Sequence, residues 1–179
     1  MSEDAVISLP QKVPLKAHYD VSVTFMAVGP QCSAFITSKG LMFASGKNHT
    51  KRLLLRESTS HIFMPCKVPA PVAQVAFTGK GHTVLLQSNG QILTLSKGLL
   101  KEVRGLDSND IQCVSAFDAG DGGQKGLCVT KEGHVFNWNM TNTEDFIKAE
   151  KLGFDSQLVS EKCVNLSVSK NHFIIAYKK

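Results

Sequence analysis

The 179-residue sequence lacks the features that mark membrane, secreted and metal-binding proteins. No apolar run approaches the ~18 residues that a transmembrane helix requires. The first four residues, Met-Ser-Glu-Asp, are polar and acidic, which argues against a secretory signal. The five cysteines, an odd number, show no Cys-x-x-Cys spacing. We therefore expect an intracellular protein, cytoplasmic or nuclear, with reduced thiols and neither a disulfide framework nor a zinc site.

Signals for catalysis are equally sparse. The sequence has no Gly-x-Ser-x-Gly nucleophile elbow, and its six histidines are scattered. The segment 78–83, Thr-Gly-Lys-Gly-His-Thr, lacks the spacing of a phosphate-binding loop, and 118–121 holds only fragments of a calcium loop. We expect a protein that is not an enzyme and uses no cofactor or metal. A Ser-His-Asp arrangement is spatial, so the sequence leaves that alternative open.

The sequence does contain one ten-residue pattern of residue types three times, at 34–43, 84–93 and 127–136. Each copy is an apolar run, a polar break, a glycine and a second apolar run, and the glycines are Gly40, Gly90 and Gly133. This pattern predicts a β-hairpin whose glycine adopts positive φ. Recurrence of a hairpin at a period of roughly 40–50 residues predicts a propeller or a repeat array.

Each hairpin is preceded by a further apolar segment and by an edge segment, which together predict four strands, as in a propeller blade. We predict a single all-β domain, a propeller of four antiparallel units over residues 1–179. The units are approximately 10–48, 65–98, 101–142 and 150–179, and the last lacks one hairpin arm. The strand-like stretch 4–9 is predicted to pair with 172–178 and so complete the last blade, within one chain or, as the alternative, in a strand-exchanged homodimer.

The sequence resembles the regulator of chromosome condensation repeat family. The best unit, residues 72–96, places Val72, Val75, Gly79, His82 and Gly90 at family positions. Further matching positions are Gly29, Gly40, Gly133, Trp138 and His172. The resemblance implies a blade architecture in which these residues are structural, with Gly79 in a backbone turn, His82 in hydrogen bonds between strands and Trp138 in core packing.

A repeat propeller presents loops on a rigid body, so we expect a protein-interaction or scaffold module. The candidate partner-binding residues, expected to be exposed in or beside loop 46–62, are Lys51, Arg52, Arg56, His61 and Phe63, because interfaces favour arginine and aromatic anchors. A solvated loop is the alternative explanation of the basic cluster 51–56. Two other functions stay open: regulation of a small GTPase by nucleotide exchange, by family analogy alone, and chromatin or nucleic-acid contact through a net charge of +5.

Overall fold

The computed structural model describes residues 22–119, 121–141, 145–153, 162–168 and 173–178, and in the last two segments it describes only the side chain of Leu166. These residues form fifteen strands and one three-residue 3-10 turn, Ser108–Asp110. The strands are β1 (Val23–Gly29), β2 (Cys32–Thr37), β3 (Met42–Lys47), β4 (Thr59–Pro65), β5 (Val72–Phe77), β6 (Thr83–Gln87), β7 (Ile92–Ser96), β8 (Leu99–Arg104), β9 (Ile111–Asp118), β10 (Gln124–Thr130), β11 (Val135–Asn139), β12 (Ile147–Lys148), β13 (Glu150–Lys151), β14 (Lys162–Val168) and β15 (Phe173–Lys178). Among the described residues, no helix is long and apolar enough to span a membrane.

The strands form four sheets in chain order, which we call the first to fourth blades. The orders are β1-β2-β3-β4, β5-β6-β7-β8, β9-β10-β11-β13 and β14-β15, and neighbouring strands in each are antiparallel. The short strand β12 lies parallel to β8 and adds a fifth strand to the second blade. The prediction of an all-β chain of four antiparallel units is confirmed. The predicted strand at 4–9, and with it the pairing to 172–178, lies outside the described residues.

The three repeated phrases form the predicted hairpins. Gly40, Gly90 and Gly133 have φ of 73°, 82° and 84°, a region that favours glycine. In each turn the glycine amide donates to the carbonyl of the residue three positions earlier, at 2.8–3.0 Å. The same type of turn therefore joins the second and third strands in each of the first three blades.

Each described edge strand belongs to the sheet that precedes it in the chain. The sequence instead predicts units in which the edge segment comes first. Strand β8 pairs with β7, and β13 pairs with β11. The cause is visible between β7 and β8, where Lys97 and Gly98 have φ of 50° and 83°. Two consecutive positive φ values make a two-residue turn that returns the chain antiparallel to the strand just completed. The predicted edge segment 10–14 lies outside the described residues.

The core lies between the blades, because the first strands of consecutive blades are adjacent: β1 lies beside β5, β5 beside β9, and β9 beside β14. One cluster joins the first and second blades through residues such as Ile36, Met42, Val75 and Leu85. A second cluster joins the second and third blades around Trp138, and a third reaches Leu166 in the fourth blade. Blades stacked face to face in this way form a propeller.

A pair of glycine substitutions separates backbone strain from steric conflict. Gly90 and Gly105 have similar φ, 82° and 88°, but a Cβ at Gly90 would lie 1.7 Å from the carbonyl oxygen of Ser108. A Cβ at Gly105 would meet nothing closer than 3.6 Å. We expect Gly105→Ala to lower the free energy of unfolding by about 1 kcal/mol and Gly90→Ala by about 2–3 kcal/mol, measured by urea denaturation. Equal losses would show that the contact with Ser108 is unimportant.

Candidate interaction surface

One buried side chain holds the connection between β3 and β4, residues 48–58, in a defined shape. Asn48 is only 2% exposed. Its Nδ2 donates to the carbonyl oxygens of Leu55 at 3.1 Å and Glu57 at 2.8 Å, and its Oδ1 accepts from the amide of Leu53 at 2.8 Å. Leu53 and Leu55 in turn pack into the core between the first and second blades. The connection is therefore a folded platform, which can present side chains at fixed positions.

The expectation that Arg52 is exposed is wrong, because its side chain lies inside this platform and is 5% exposed. Its Nε donates to the carbonyl oxygen of Lys47 at 3.3 Å, and a terminal guanidinium nitrogen donates to the carbonyl oxygen of Pro30. The hydroxyl of Thr83 in the second blade donates to the Arg52 carbonyl at 2.9 Å. Carbonyl acceptors offset the cost of desolvating a guanidinium. Arg52 links the connection to the blades and is not available to a partner.

The other four candidates lie on the first blade in two groups. Lys51 and Arg56 are exposed in the connection, and His61 is exposed in β4. Phe63 in β4 is half-buried, with its ring centroid 5.0 Å from that of Phe35. The structure therefore places Lys51 and Arg56 at the end of the sheet, and His61 and Phe63 along its outer strand.

Two further lysines, which the sequence did not identify as candidates, lie near the same end of the first two blades as Lys51 and Arg56. Lys80 is exposed in the turn between β5 and β6, and its Nζ donates to the carbonyl oxygen of Gly122 at 2.6 Å. Lys97 is exposed in the β7–β8 turn, where the next residue, Gly98, lies against the side chain of Lys51. We call the set Lys51, Arg56, Lys80 and Lys97 the basic end surface. A lysine beside glycine in a turn was the available sequence signal.

Hydrogen bonds between connections join this surface across the blades. The hydroxyl of Thr50, from the first blade, donates to the carbonyl oxygen of Gly81 in the second at 3.1 Å. The amide of Gly79 donates to Oδ2 of Asp118, from the third blade, at 2.7 Å. A Cβ at Gly79 would lie 2.2 Å from that oxygen, so a larger residue would displace the carboxylate. Hydrogen bonds therefore join the β5–β6 turn, which holds Lys80, to the connections of the first and third blades.

His82 lies at the junction of the second and third blades. Burial lowers the pKa of His82, the charge of Asp118 acts in the opposite direction, and Lys97 lowers the pKa further. The amide of His82 donates to Oγ1 of Thr78 at 3.0 Å. Its ring Nδ1 and Oδ1 of Asp118 are buried, and neither atom has a hydrogen-bond partner among the described residues. The family resemblance predicted hydrogen bonds between strands for His82. The bond described here joins its backbone amide to Thr78 and closes the β5–β6 turn.

The other repeat positions lie in turns and in the core. A Cβ at Gly29 would lie 2.6 Å from Cβ of Phe77, so glycine allows the first two blades to approach. Trp138 is 2% exposed, and its Nε1 donates to Oγ1 of Thr94 at 3.2 Å. His172 lies outside the described residues. Within the described part of the chain, no three His, Cys, Asp or Glu side chains are grouped closely enough to hold a metal ion.

The fold matches known propellers although the sequence does not: no family model matches it, and no curated protein does. Human WBSCR16 superposes with a TM-score of 0.65 at 12% identity, over 89% of this chain and 45% of that one. Yeast RCC1 (Prp20), in its complex with Kap60, gives 0.66 at 14% identity, over 93% and 43%. A second structure of Prp20p, from Saccharomyces cerevisiae, described with its binding to Gsp1p and histones, gives 0.59 at 10% identity, over 87% and 43%.

These similarities establish the β-propeller fold. The chain spans less than half of the length of each of these three solved proteins. At 10–14% identity, the superpositions carry the architecture and leave the function to be argued from this chain's own surface.

Proposed function

We propose that this chain is a non-enzymatic, intracellular protein-interaction module, a divergent member of the regulator of chromosome condensation repeat type, which binds a protein partner through the basic end surface. The observation that carries the proposal is the platform at 48–58. It presents Lys51 and Arg56 to solvent while Asn48, Arg52 and Leu53 anchor it in the interior. Rigid presentation lowers the entropy lost on binding, which is why loops on a fixed scaffold make effective recognition surfaces.

The charge of this surface favours an acidic partner. Its four members are exposed cationic side chains from the first two blades. A group of positive charges raises the association rate of a negatively charged protein. His61 and Phe63 lie on the same blade and would extend the contact with an aromatic anchor. The similar yeast propellers bind proteins, namely Kap60, Gsp1p and histones, which supports a protein as the ligand class.

The double variant Lys51→Glu/Arg56→Glu tests the proposal. We expect capture of the partner from a lysate of the native cell, quantified by mass spectrometry, to fall about tenfold, because two attractive rim charges become repulsive. The matched control is Lys39→Glu, an exposed lysine of the same blade in the hairpin turn between β2 and β3. Unchanged capture by the double variant, or equal loss in the control, would contradict a role for this surface.

Two further candidate functions can be separated from this one by experiment. Chromatin or nucleic-acid contact is favoured by the proximity of Lys51 to the turn that contains Lys97, and it predicts DNA binding that weakens steeply with salt. DNA binding that is absent or independent of salt would remove it. Regulation of a small GTPase predicts faster nucleotide release from at least one member of a GTPase panel, and no acceleration across the panel would remove that candidate.

A further inference from the structure

A pocket of about 360 Å³ lies between the second and third blades. Its walls include the starts of β5 and β9, the end of β6, the β6–β7 hairpin turn and part of the 3-10 turn Ser108–Asp110. The β6–β7 turn lies at the opposite end of its strands from the β5–β6 and β7–β8 turns, which hold Lys80 and Lys97. The pocket is therefore separate from the basic end surface, and its volume is within the range of about 300–1,000 Å³ that is usual for ligand sites.

The pocket lies where a direct link between neighbouring blades is missing. Between the first and second blades, the amide of Val72 at the start of β5 donates to the carbonyl oxygen of Gly40 in the preceding hairpin turn, at 2.9 Å. The equivalent residues at the next junction are Ile111, at the start of β9, and Gly90. Among the described residues no backbone hydrogen bond joins these two, and Gly90 instead lies against the carbonyl group of Ser108.

Gln87, in the wall of this pocket, replaces a threonine of the other hairpins. Thr37 and Thr130 occupy the same position in the first and third blades, three residues before the turn glycine. Each threonine hydroxyl accepts from the amide four residues later in its own turn, at 3.2 and 3.0 Å. In the second blade that amide belongs to Gln91 and donates to Oδ1 of Asn89, at 3.0 Å. The side chain of Gln87 is therefore not needed to close its turn.

The carboxamide of Gln87 is buried without a hydrogen bond. Gln87 is 3% exposed, and its side chain has no hydrogen-bond partner among the described residues. In the same part of the chain, the fully enclosed side-chain atoms that lack a partner belong to His82 and Asp118, so the carboxamide of Gln87 keeps contact with open space. That space is the pocket that Gln87 lines. An unpaired buried amide costs free energy, which a ligand that both donates and accepts would offset.

The lining favours a neutral ligand. Gln87, Asn89 and Gln112 bring carboxamides to the wall, and the cationic lining residue, Lys131, directs its Nζ to the carbonyl oxygen of Asn109. Among the described lining residues there is no carboxylate to pair with a cation and no aromatic ring on which a nucleobase could stack. Carboxamides donate and accept at a fixed spacing, which matches the N–H and C=O of a peptide group.

We propose that this pocket binds a short extended segment of a partner protein through its main-chain amides. The Gln87 carboxamide donates to a peptide carbonyl and accepts from a peptide N–H. A second hollow of about 370 Å³ adjoins the pocket and shares Asn89, Gly90 and Ser108 with it, so the ligand can continue along the chain from one space into the next. The assignment goes beyond the role of the basic end surface and does not depend on it.

The test is a titration of the ¹⁵N-labelled full chain, followed by NMR, with the capped neutral peptide acetyl-Gly-Gly-Gly-amide. We expect the side-chain amide signal of Gln87 to shift and to saturate below about 20 mM peptide. Gln87→Thr introduces the residue of the other two hairpins and should weaken binding about tenfold, because two hydrogen bonds are lost. The control Gln31→Gly removes an exposed carboxamide in the β1–β2 turn, where φ is 61°, and should bind as wild type does.

No saturable shift at Gln87, or equal binding by Gln87→Thr, would overturn the proposal. Parallel titrations use glucose and sodium phosphate, and saturation by either of them without saturation by the peptide would also overturn it. A nuclear Overhauser contact between the Gln87 carboxamide and another segment of the chain, without added peptide, would show that the chain itself fills the pocket and would have the same consequence. The variant Lys51→Glu/Arg56→Glu should bind the peptide normally, so failure at this pocket and failure at the basic end surface are distinguishable.

Discussion

Replacing Trp138 with alanine is expected to lower the free energy of unfolding by about 4–5 kcal/mol. The indole is 2% exposed in the core between the second and third blades. Its ring lies directly over Gly126, where a Cβ would be 2.2 Å from Cε2, so residue 126 has no side chain that could fill the space. The substitution also removes the donor to Oγ1 of Thr94, a buried hydroxyl. A cavity and an orphaned polar group therefore add together.

The measurement is urea denaturation followed by circular dichroism, because Trp138 is the only tryptophan and its loss removes the fluorescence signal. Trp138→Phe is the matched control: it keeps an aromatic ring but loses the N–H donor, and it should cost about 1–2 kcal/mol. A loss below about 1 kcal/mol for the alanine variant would show that this residue does not hold the two blades together.

The second large effect is expected at Asn48. Asn48→Ala removes the partners of two carbonyl groups and one amide, and we expect it to cost about 3–4 kcal/mol. The substitution should destabilise the connection at 48–58 as well as the whole fold, because the same three hydrogen bonds hold this connection in shape. Limited proteolysis is therefore expected to cut this connection faster in the variant than in wild type.

Asn89→Ala is the control for this substitution. Asn89 is exposed, and its Oδ1 accepts from the amide of Gln91 in a hairpin turn, so its removal should cost less than about 1 kcal/mol. If the two alanine variants lost equal stability, the three bonds of Asn48 would not be what holds the connection. Because Lys51 and Arg56 lie on that connection, Asn48→Ala is also expected to weaken partner capture without changing the surface charge.

The hairpins were predictable because their information is local. The glycines at 40, 90 and 133 follow polar breaks at the same place in three similar phrases, and each adopts the positive φ that the turn needs. The sequence pattern assigns each edge strand to the sheet that follows it, whereas the described edge strands join the sheet that precedes them. A segment between two sheets could pair with either neighbour, so its own residues do not decide between them. The two-residue turn at Lys97 and Gly98 decides the question for β8, and that signal was present in the sequence.

The candidate surface was only partly predictable, because burial depends on contacts from distant segments. Arg52 belongs to a basic cluster in the sequence, yet its side chain is buried, where it donates hydrogen bonds to the carbonyl oxygens of Lys47 and Pro30. The glycines beside Lys80 and Lys97 indicate turns, but the position of these turns beside the connection at 48–58 depends on how the first two blades pack.

The parallel strand β12 has a consequence for where this chain can be divided. Ile147 and Lys148 hydrogen-bond along β8 of the second blade, and two residues later Glu150 and Lys151 pair with β11 of the third. One short segment is thus shared by two neighbouring sheets. In most repeat arrays each unit can be removed, duplicated or exchanged at its boundary, because contacts between units are made by surfaces alone. Here backbone hydrogen bonds cross the boundary, so we expect a division of the chain between the second and third blades to disrupt an edge of both sheets.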